Sequence, residues 1–242
     1  YRDTTIEAHN YRNTKPPLSG WAIWSIYEAD KDISFLKEVY PLLLRQHQWW
    51  YINRDHDGDG LCEYGSTDGT LKAAKWDSGM DNAVRFDSSK IVKNGPGAYS
   101  LNQESVDLNA YLYKEKEVIS QIAGLLGNTE DKARFIEDGQ ALGKRIRDQF
   151  FDHETGWFYD TNLDGDKFIK AMGCEGWIPL WANVASSEQA KAVSRNIMKK
   201  STFNTRMPLQ TLSANHPKFK PDNGYWRGPN WLDQAYFGVM GL

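Results

Sequence analysis

The fold is decided by residues 108–150, which read LNAYLYKEKEVISQIAGLLGNTEDKARFIEDGQALGKRIRDQF. Apolar residues recur at three-, four- and seven-residue steps on both sides of Gly127, which is the spacing of amphipathic helices. Gly127 is a helix stop signal, and Glu130 and Asp131 fall where carboxylates favour the start of the next helix. The stretch therefore predicts two consecutive helices.

The same pattern continues outward along the chain. Leu36, Leu43 and Trp50 share a helical spacing, and Pro41 inside this segment should kink or divide the helix. Ser186 and Gln189 fit a capping box at the start of a later helix. We count seven or eight helices in all and no convincing run of alternating strands.

Long polar stretches rich in Gly and Asp separate these helices, at residues 53–75, 87–101, 152–174 and 201–228. Loops of that length are uncommon in compact domains and are usually functional. An all-α scaffold of antiparallel helix pairs, with its loops gathered at one end, accounts for both features. The sequence has no tandem repeat of fixed period, which argues against a solenoid.

Composition narrows the class of partner. The net charge of −3 gives no basic footprint for nucleic acid, and no apolar run approaches the ~20 residues that span a bilayer. Two cysteines, Cys62 and Cys174, leave the redox compartment open. Aromatic residues make up 13% of the chain. Their flat faces suit sugar rings, although any one Trp could equally serve helix packing.

A hard-cation loop is the most specific chemical signal. Side-chain oxygens and one backbone carbonyl alternate along a glycine-containing turn at Asp55, Asp57, Asp59, Leu61 (carbonyl) and Glu63. Ca²⁺ takes ~6–8 oxygen ligands, and carboxylates this close together repel one another without a cation. The motif is not an EF-hand, because Ser66 occupies the twelfth position. A solvated acidic turn is the alternative interpretation.

A weaker version of this pattern follows at residues 160–166, where Asp160, Asn162, Asp164 and Asp166 alternate. The same residues could equally form a hairpin turn, which is the interpretation we favour.

Paired carboxylates are the signature of glycosidic bond cleavage, which needs one acid and one base or nucleophile. The segment Trp76–Asn82, WDSGMDN, places Asp77 and Asp81 four residues apart beside an indole. If the segment opens a helix, Asp77 could cap it while Asp81 points into a cleft. Two capping aspartates without chemistry remain an equal alternative.

Two further segments combine aromatic faces with Gly and Pro. Tyr225–Trp231, YWRGPNW, offers the Arg227 guanidinium to sugar hydroxyls and Trp226 as a stacking surface. Glu175–Leu180, EGWIPL, has the same character around Trp177. Packing without ligand binding is the alternative for each.

Together these segments are similar to glycoside hydrolase family 63, which is related to trehalases. Four ordered segments carry the resemblance, at Asn13–Pro17, Trp76–Asn82, Asn102–Asn109 and Tyr225–Pro229. The resemblance implies an (α/α)6 barrel over residues 1–242 and hydrolysis of α-linked glucosides or related α-glycosides with inversion. It favours a periplasmic or secreted location.

The resemblance also assigns roles to residues. It makes Asp81 the general acid, kept protonated by surroundings of low dielectric, and it adds Glu104 to the calcium ligands named above. A ligand on the helix after the loop would fix that loop to the barrel, so the ion would be structural. The substrate site is expected to include Lys15, Trp76, Asp77, Trp177, Trp226 and Arg227.

The sequence departs from the family pattern in two respects. The Glu expected as general base after the Trp-Arg-Gly-Pro segment is not present before Leu242, and the N-terminal β-sandwich is missing. We therefore expect the barrel to be incomplete here and other segments of the parent chain to complete it. A non-catalytic, calcium-stabilised carbohydrate-binding or scaffold fragment is the alternative to an oligosaccharide hydrolase.

Overall fold

The computed structural model describes residues 14–242. Its α-helices are α1 (Ser19–Asp30), α2 (Ile33–Asn53), α3 (Leu71–Asp77), α4 (Val106–Leu125), α5 (Thr129–Gln149), α6 (Ile178–Trp181), α7 (Ser187–Ile197) and α8 (Leu232–Gly241). Short 3-10 turns span Val84–Phe86 and Cys174–Trp177. The strands are β1 (Gly65–Ser66), β2 (Ile91–Gly95), β3 (Ala98–Leu101), β4 (Gln103–Glu104), β5 (Phe151–Asp152), β6 (Trp157–Phe158) and β7 (Thr161–Asn162).

The predicted pair of helices is α4 followed by α5. Gly127 takes a left-handed φ of 77°, which glycine adopts without steric cost. The Asn128 side chain accepts from the backbone N–H of Asp131 at 3.0 Å, and this contact caps α5. The capping box predicted at Ser186 and Gln189 is also present, at the start of α7. Both boundary predictions are confirmed.

Helix α4 lies at the centre of the molecule. It packs against α1, α2, α5 and α6, and most of its residues are buried, including Asp107, Asn109 and Glu115. A helix that is buried on nearly every side must satisfy its polar side chains internally. The loops that surround α4 therefore have to supply hydrogen-bonding partners.

Helix α2 continues through Pro41 without a break, so Pro41 does not divide it, and the alternative expectation of a kink stays a prediction. Its buried face runs on both sides of the proline and includes Leu36, Leu43 and Trp50. Pro41 cannot donate one backbone hydrogen bond of the helix. Burial of this apolar face stabilises the helix by more than that loss.

The long loops contain short antiparallel pairings that the sequence did not reveal. β1, β3 and β2 form a three-stranded sheet in that order, and β4 pairs with β7 while β5 pairs with β6. Most of these strands have two residues, too few to show an alternating pattern. Within residues 160–166, Thr161 and Asn162 form β7 and residues 163–166 turn directly after it, where Asn162 donates to Asp166 at 2.9 Å. The turn interpretation of this segment is thus supported.

A buried ion network connects the loops to α4. The Arg85 guanidinium lies 2.7 Å from an Asp107 oxygen and 3.1 Å from an Asp160 oxygen, and all three side chains are almost fully buried. Asp160 also accepts from the Val106 backbone N–H at 2.9 Å. The network joins the 3-10 turn Val84–Phe86 and the segment before β7 to the start of α4.

Among residues 14–242, no helix is both long enough and apolar enough to cross a membrane.

Candidate functional site

The segment Trp76–Asn82 contains the end of a helix, so it does not meet the condition, an opening helix, under which Asp77 would act as a cap. Thr70 caps α3 by accepting from the Ala73 backbone N–H, and α3 closes at Asp77. Gly79 then takes a φ of 77°, a left-handed conformation that favours glycine and turns the chain. Asp77 is the last residue of the helix, and Asp81 lies beyond the turn.

Asp77 is fully buried, and both of its oxygens are engaged by the protein. One accepts from the Thr14 backbone N–H at 2.7 Å. The other accepts from Arg54 Nε at 3.1 Å and from the Gly65 backbone N–H at 3.0 Å. Asp77 has no exposed surface in this structure, and its contact with substrate stays a prediction. Asp77 anchors α3 to the end of α2 and to β1.

Asp81 has a different environment. It is half-buried, and its Oδ2 accepts from the Tyr225 hydroxyl at 3.1 Å. Burial and the neighbouring Asp81 charge raise the pKa of Tyr225, so this phenol stays protonated and acts as a donor.

An aromatic cavity of about 460 Å³ lies next to this turn. The wall residues include Ser78, Gly79 and Met80, directly before Asp81. The aromatic members of the lining are Trp21, Tyr111, Trp226, Tyr236 and Phe237. We call this space the aromatic cleft. Clefts with aromatic walls and a few polar groups are typical of small-molecule sites.

A second cavity of about 490 Å³ is lined by residues of the Asp222–Trp231 segment, among them Tyr225 and Trp231. We call it the loop cavity. The indoles of Trp226, in the aromatic cleft, and Trp231, in the loop cavity, stack with centroids 4.2 Å apart and an interplanar angle of 11°. Asp81 thus comes directly after the residues that line the aromatic cleft, and it hydrogen-bonds to Tyr225, which lines the loop cavity.

Asn82 joins the two motifs that the sequence singled out. Its side chain accepts from the Trp226 backbone N–H at 2.9 Å and donates to the Gly224 carbonyl at 3.1 Å. Its backbone carbonyl accepts from Arg227 Nε at 2.7 Å. Asn82 and Tyr225 were quoted within the motifs but not selected as site residues, because their contacts span more than 140 positions of sequence.

The remaining predicted substrate residues differ in position. Trp226 lines the aromatic cleft. Trp177 does not, because it is fully buried and donates from Nε1 to the Gln234 carbonyl at 3.1 Å. Trp177 packs in the core, and its role as a sugar contact stays a prediction. Arg227 pairs with Asp87 and joins two loops.

Lys15 and Trp76 lie together on the surface side of α3. The exposed Lys15 ammonium donates to the Trp76 carbonyl at 2.6 Å, and Lys72 Nζ lies 4.6 Å from the centre of the Trp76 ring. Neither residue lines the aromatic cleft or the loop cavity, and their contact with substrate stays a prediction. Asn13, at the start of the first motif, lies outside the described residues.

The acidic loop brings its carboxylates together. Ligand oxygens of Asp55, Asp57 and Asp59 lie within 4.8 Å of one another, and so do those of Asp57, Glu63 and Glu104. Glu104 lies on β4, just before α4 rather than on that helix as expected, and β4 pairs with β7. The leucine of the loop, Leu61, is fully buried and donates its backbone N–H to Asp59 at 2.8 Å.

Several of these oxygens lack partners. Glu63 and Glu104 are fully buried, yet Oε1 of Glu63 and both carboxylate oxygens of Glu104 have no hydrogen bond among the described residues. Burial, together with the nearby Asp59 and Asp57, raises the pKa of Glu104 to about 9. Burial next to Glu104 also raises the pKa of Glu63. Buried carboxylates without donors are costly, and a divalent cation is the group that would satisfy them.

Known protein families and solved structures resemble this chain along most of its length. The family model for the mannosylglycerate hydrolase MGH1-like glycoside hydrolase domain matches residues 2–242. Mannosylglycerate hydrolase MGH1 of Selaginella moellendorffii is 25% identical over 278 residues, covering 95% of this chain and 55% of the relative. A mannosylglycerate hydrolase of Thermus thermophilus is 23% identical over 278 residues, covering 95% of this chain and 64% of the relative. The chain thus spans little more than half the length of the first of these relatives.

Solved structures show the same fold. The GH63 mannosylglycerate hydrolase of Thermus thermophilus in complex with glucose superposes with a TM-score of 0.79 at 22% identity, over 99% of this chain and 64% of that one. Neutral trehalase Nth1 of Saccharomyces cerevisiae gives 0.77 at 15% identity, over 95% of this chain and 52% of that one. These neighbours confirm the predicted (α/α)6-barrel fold, and the family model confirms the resemblance to family 63. With its helical hairpins, its sequence motifs and the matching family model in agreement, the chain belongs to the MGH1-like glycoside hydrolase domain family.

Proposed function

We propose that this chain forms the acid-bearing part of an inverting glycoside hydrolase that cleaves α-linked glycosides. The observation that carries the proposal is the position of Asp81. The residues before it line the aromatic cleft, and its hydrogen-bond partner Tyr225 lines the loop cavity. A general acid must reach the oxygen that joins the sugar to its leaving group, so it belongs between two binding spaces.

In the proposed reaction, the protonated Asp81 carboxyl gives its proton to the glycosidic oxygen as the bond to the anomeric carbon breaks. Asp81 becomes a carboxylate in this step. The Tyr225 hydroxyl, 3.1 Å from Oδ2, then donates to the charged form and stabilises it. A water on the opposite face of the ring completes the inversion. By the family resemblance, a Glu would act as the general base that deprotonates this water.

The aromatic cleft is the proposed sugar site. Aromatic rings line it, and the Trp226 indole N–H has no partner among the described residues. Rings pack against the C–H faces of a pyranose, while an unpaired donor can serve one of its hydroxyls. The names of the relatives make mannosylglycerate and trehalose the first substrates to test, and we add α-glucosyl glycerate and α-linked glucobioses as further candidates.

Product stereochemistry tests this proposal. In a protein that carries the whole domain, NMR spectra taken within minutes of mixing should show the β-anomer of the released sugar, because inversion of an α-glycoside gives that anomer first. Initial release of the α-anomer would contradict the inverting mechanism. Binding of these sugars without turnover would favour the carbohydrate-binding alternative.

We also propose that the acidic loop holds a structural Ca²⁺. The unpartnered oxygens of Glu63 and Glu104, together with the clustered Asp55, Asp57 and Asp59, fit a hard cation. Asp55, Asp57, Asp59, Glu63 and Glu104, with the Leu61 carbonyl, would hold it. When bound, the ion would supply positive charge that ties the loop to β4, and it would take no part in proton transfer.

A further inference from the structure

Tyr225, the hydrogen-bond partner of Asp81, has an uncommon backbone conformation. Its φ of 60° lies in the left-handed region, which favours glycine and which bulky residues rarely adopt. The residue is 46% exposed, so packing of its ring is a weak restraint on the backbone. A residue stays in this conformation only when its surroundings hold the peptide groups on both sides of it.

The side chain of Asn82 supplies both of these contacts. Its Oδ1 accepts from the Trp226 backbone N–H at 2.9 Å, and its Nδ2 donates to the Gly224 carbonyl at 3.1 Å. These two groups belong to the peptide units that flank Tyr225, so one side-chain amide holds both of the planes that define its φ and ψ. A carboxylate could only accept in this place, whereas an amide both donates and accepts.

The backbone of Asn82 is held in turn. Its carbonyl accepts from Arg227 Nε at 2.7 Å, and the Arg227 guanidinium pairs with Asp87. Lys218 also pairs with Asp87. Asn82 is therefore a fixed support for Tyr225, because its own position is tied to a second loop.

These contacts end beside the proposed acid. Asn82 follows Asp81 directly in the chain, and the Tyr225 hydroxyl lies 3.1 Å from Asp81 Oδ2. The three residues thus form a closed ring of covalent bonds and hydrogen bonds. The hydroxyl lies at the far end of the Tyr225 side chain, so a small rotation of its backbone would take it out of hydrogen-bonding distance of Asp81.

We propose that Asn82 is a positioning residue for the general acid, and that it holds Tyr225 in the left-handed conformation that places the phenol on Asp81. This inference rests on the proposed function. Asn82 lines neither the aromatic cleft nor the loop cavity, so it acts through Tyr225. When Asp81 becomes a carboxylate, the Tyr225 O–H stabilises it only while both flanking peptide groups stay in place.

A double-mutant cycle tests the proposal in a protein that carries the whole domain. Asn82→Ala and Tyr225→Phe should each lower kcat on the α-linked glycoside by about tenfold or more, with a smaller change in KM. Each variant removes the same hydrogen bond to a charged group. The double variant should lose no more than Tyr225→Phe alone, because Asn82 acts through the phenol. Losses that multiply in the double variant would overturn the proposal.

Two comparisons separate positioning of the acid from a general loss of structure. On the corresponding α-glycosyl fluoride, whose leaving group needs no proton from a carboxyl group, Asn82→Ala should keep most of its activity. Equal losses on the glycoside and the fluoride would make Asn82 a structural residue and overturn the proposal. Asn215→Ala, the same change at an exposed position outside both cavities, is the matched control and should keep the activity on both substrates.

Titration of the Tyr225 phenol tests the hold of Asn82 without turnover. Burial and the neighbouring Asp81 raise the pKa of Tyr225. In Asn82→Ala the phenol should leave Asp81, and its pKa should fall toward the ordinary value of about 10. NMR of tyrosine labelled with ¹³C at Cζ measures this, and Tyr225→Phe identifies the signal.

An unchanged pKa of Tyr225 in Asn82→Ala would overturn the inference itself. A lowered pKa together with undiminished hydrolysis of the glycoside by Asp81→Asn would refute the proposed function, and would leave intact the hold of Asn82 on Tyr225.

Discussion

At the scale of single residues, Asp77 and Asp81 show what local sequence can and cannot specify. Both stand in the same seven-residue motif, four positions apart, and either could have been the acid. Asp77 is buried by partners from distant segments, Thr14, Arg54 and Gly65, whereas Asp81 remains half-buried beside Tyr225. The motif predicted a functional carboxylate in this segment. The difference in burial between Asp77 and Asp81 arises from contacts with segments far away in the sequence.

The same contrast predicts two different effects on stability. Asp77→Asn leaves the fully buried Arg54 guanidinium without its counter-charge, so the free energy of unfolding should fall by roughly 3–5 kcal/mol. Asp81→Asn should change it by less than about 0.5 kcal/mol, as is usual for a partly exposed side chain with one hydrogen bond. Urea unfolding of both variants checks this. Equal losses would show that Asp81 is also a structural residue.

Trp226 and Trp177 make the corresponding point for aromatic residues. Both occur beside Gly and Pro in segments that look alike in sequence. Trp226 lines the aromatic cleft, while Trp177 is packed among Trp157 and Phe203 with ring centroids 6.4 and 5.2 Å away. Composition predicted an aromatic site, but only the packing of segments far apart in sequence decides which rings face it.

At the scale of secondary-structure elements, the helices were the most predictable part. The α4–α5 pair, its Gly127 stop and the capping box of α7 follow from periodicity and local hydrogen bonding. The short strands inside the loops were not predictable, because two-residue pairings carry no pattern. One of these strands matters for the site, since β4 carries Glu104 to the acidic loop.

The acidic loop and β4 should respond together to calcium. If Ca²⁺ binds only the folded chain, a concentration one hundred times the Kd stabilises it by about 2.7 kcal/mol, which corresponds to roughly 5–10 °C in Tm for a chain of this size. Chelation should reverse the rise. Differential scanning calorimetry measures both.

Glu104→Gln should remove most of the calcium-dependent rise in Tm, because it replaces a fully buried carboxylate of the proposed cage. Glu137→Gln, on the exposed face of α5, is the matched control and should keep the full rise. A Tm that does not depend on Ca²⁺ would favour the solvated acidic turn.

At the scale of the whole molecule, buried titratable groups determine how the free energy of unfolding depends on pH. Glu175 is fully buried, and desolvation raises its pKa to about 8. Between about pH 4.5 and pH 8 the unfolded chain has released this proton while the folded chain still holds it. The free energy of unfolding should therefore fall as pH rises through this window and should level off above it.

Glu175→Gln removes this titration, so its stability should depend less steeply on pH between about 5 and 8 than that of the unmodified chain. Urea unfolding at several pH values across this window gives the comparison, with Glu137→Gln as the control that should keep the original slope. Parallel slopes for Glu175→Gln and the unmodified chain would contradict the raised pKa.

The overall fold and family could be predicted because four ordered motifs resemble glycoside hydrolase family 63 and the helical periodicity of the chain agrees with the barrel that this resemblance implies. The cleft could be predicted only in outline. Its walls come from α1, α4 and α8 and from the turn after α3, and the contacts that join them, such as Asn82 with Gly224, cross most of the chain. Such tertiary contacts leave no local signature in one sequence.

The role of Asp81 is the central claim, and leaving-group dependence tests it most directly. In a protein that carries the whole domain, Asp81→Asn should lower kcat/KM on the α-linked glycoside by about a hundredfold or more, the usual scale of general-acid catalysis. It should retain most of its activity on the corresponding α-glycosyl fluoride, because fluoride departs without protonation by a carboxyl group. Equal losses on both substrates, or undiminished hydrolysis of the glycoside, would contradict the assignment of Asp81 as the general acid.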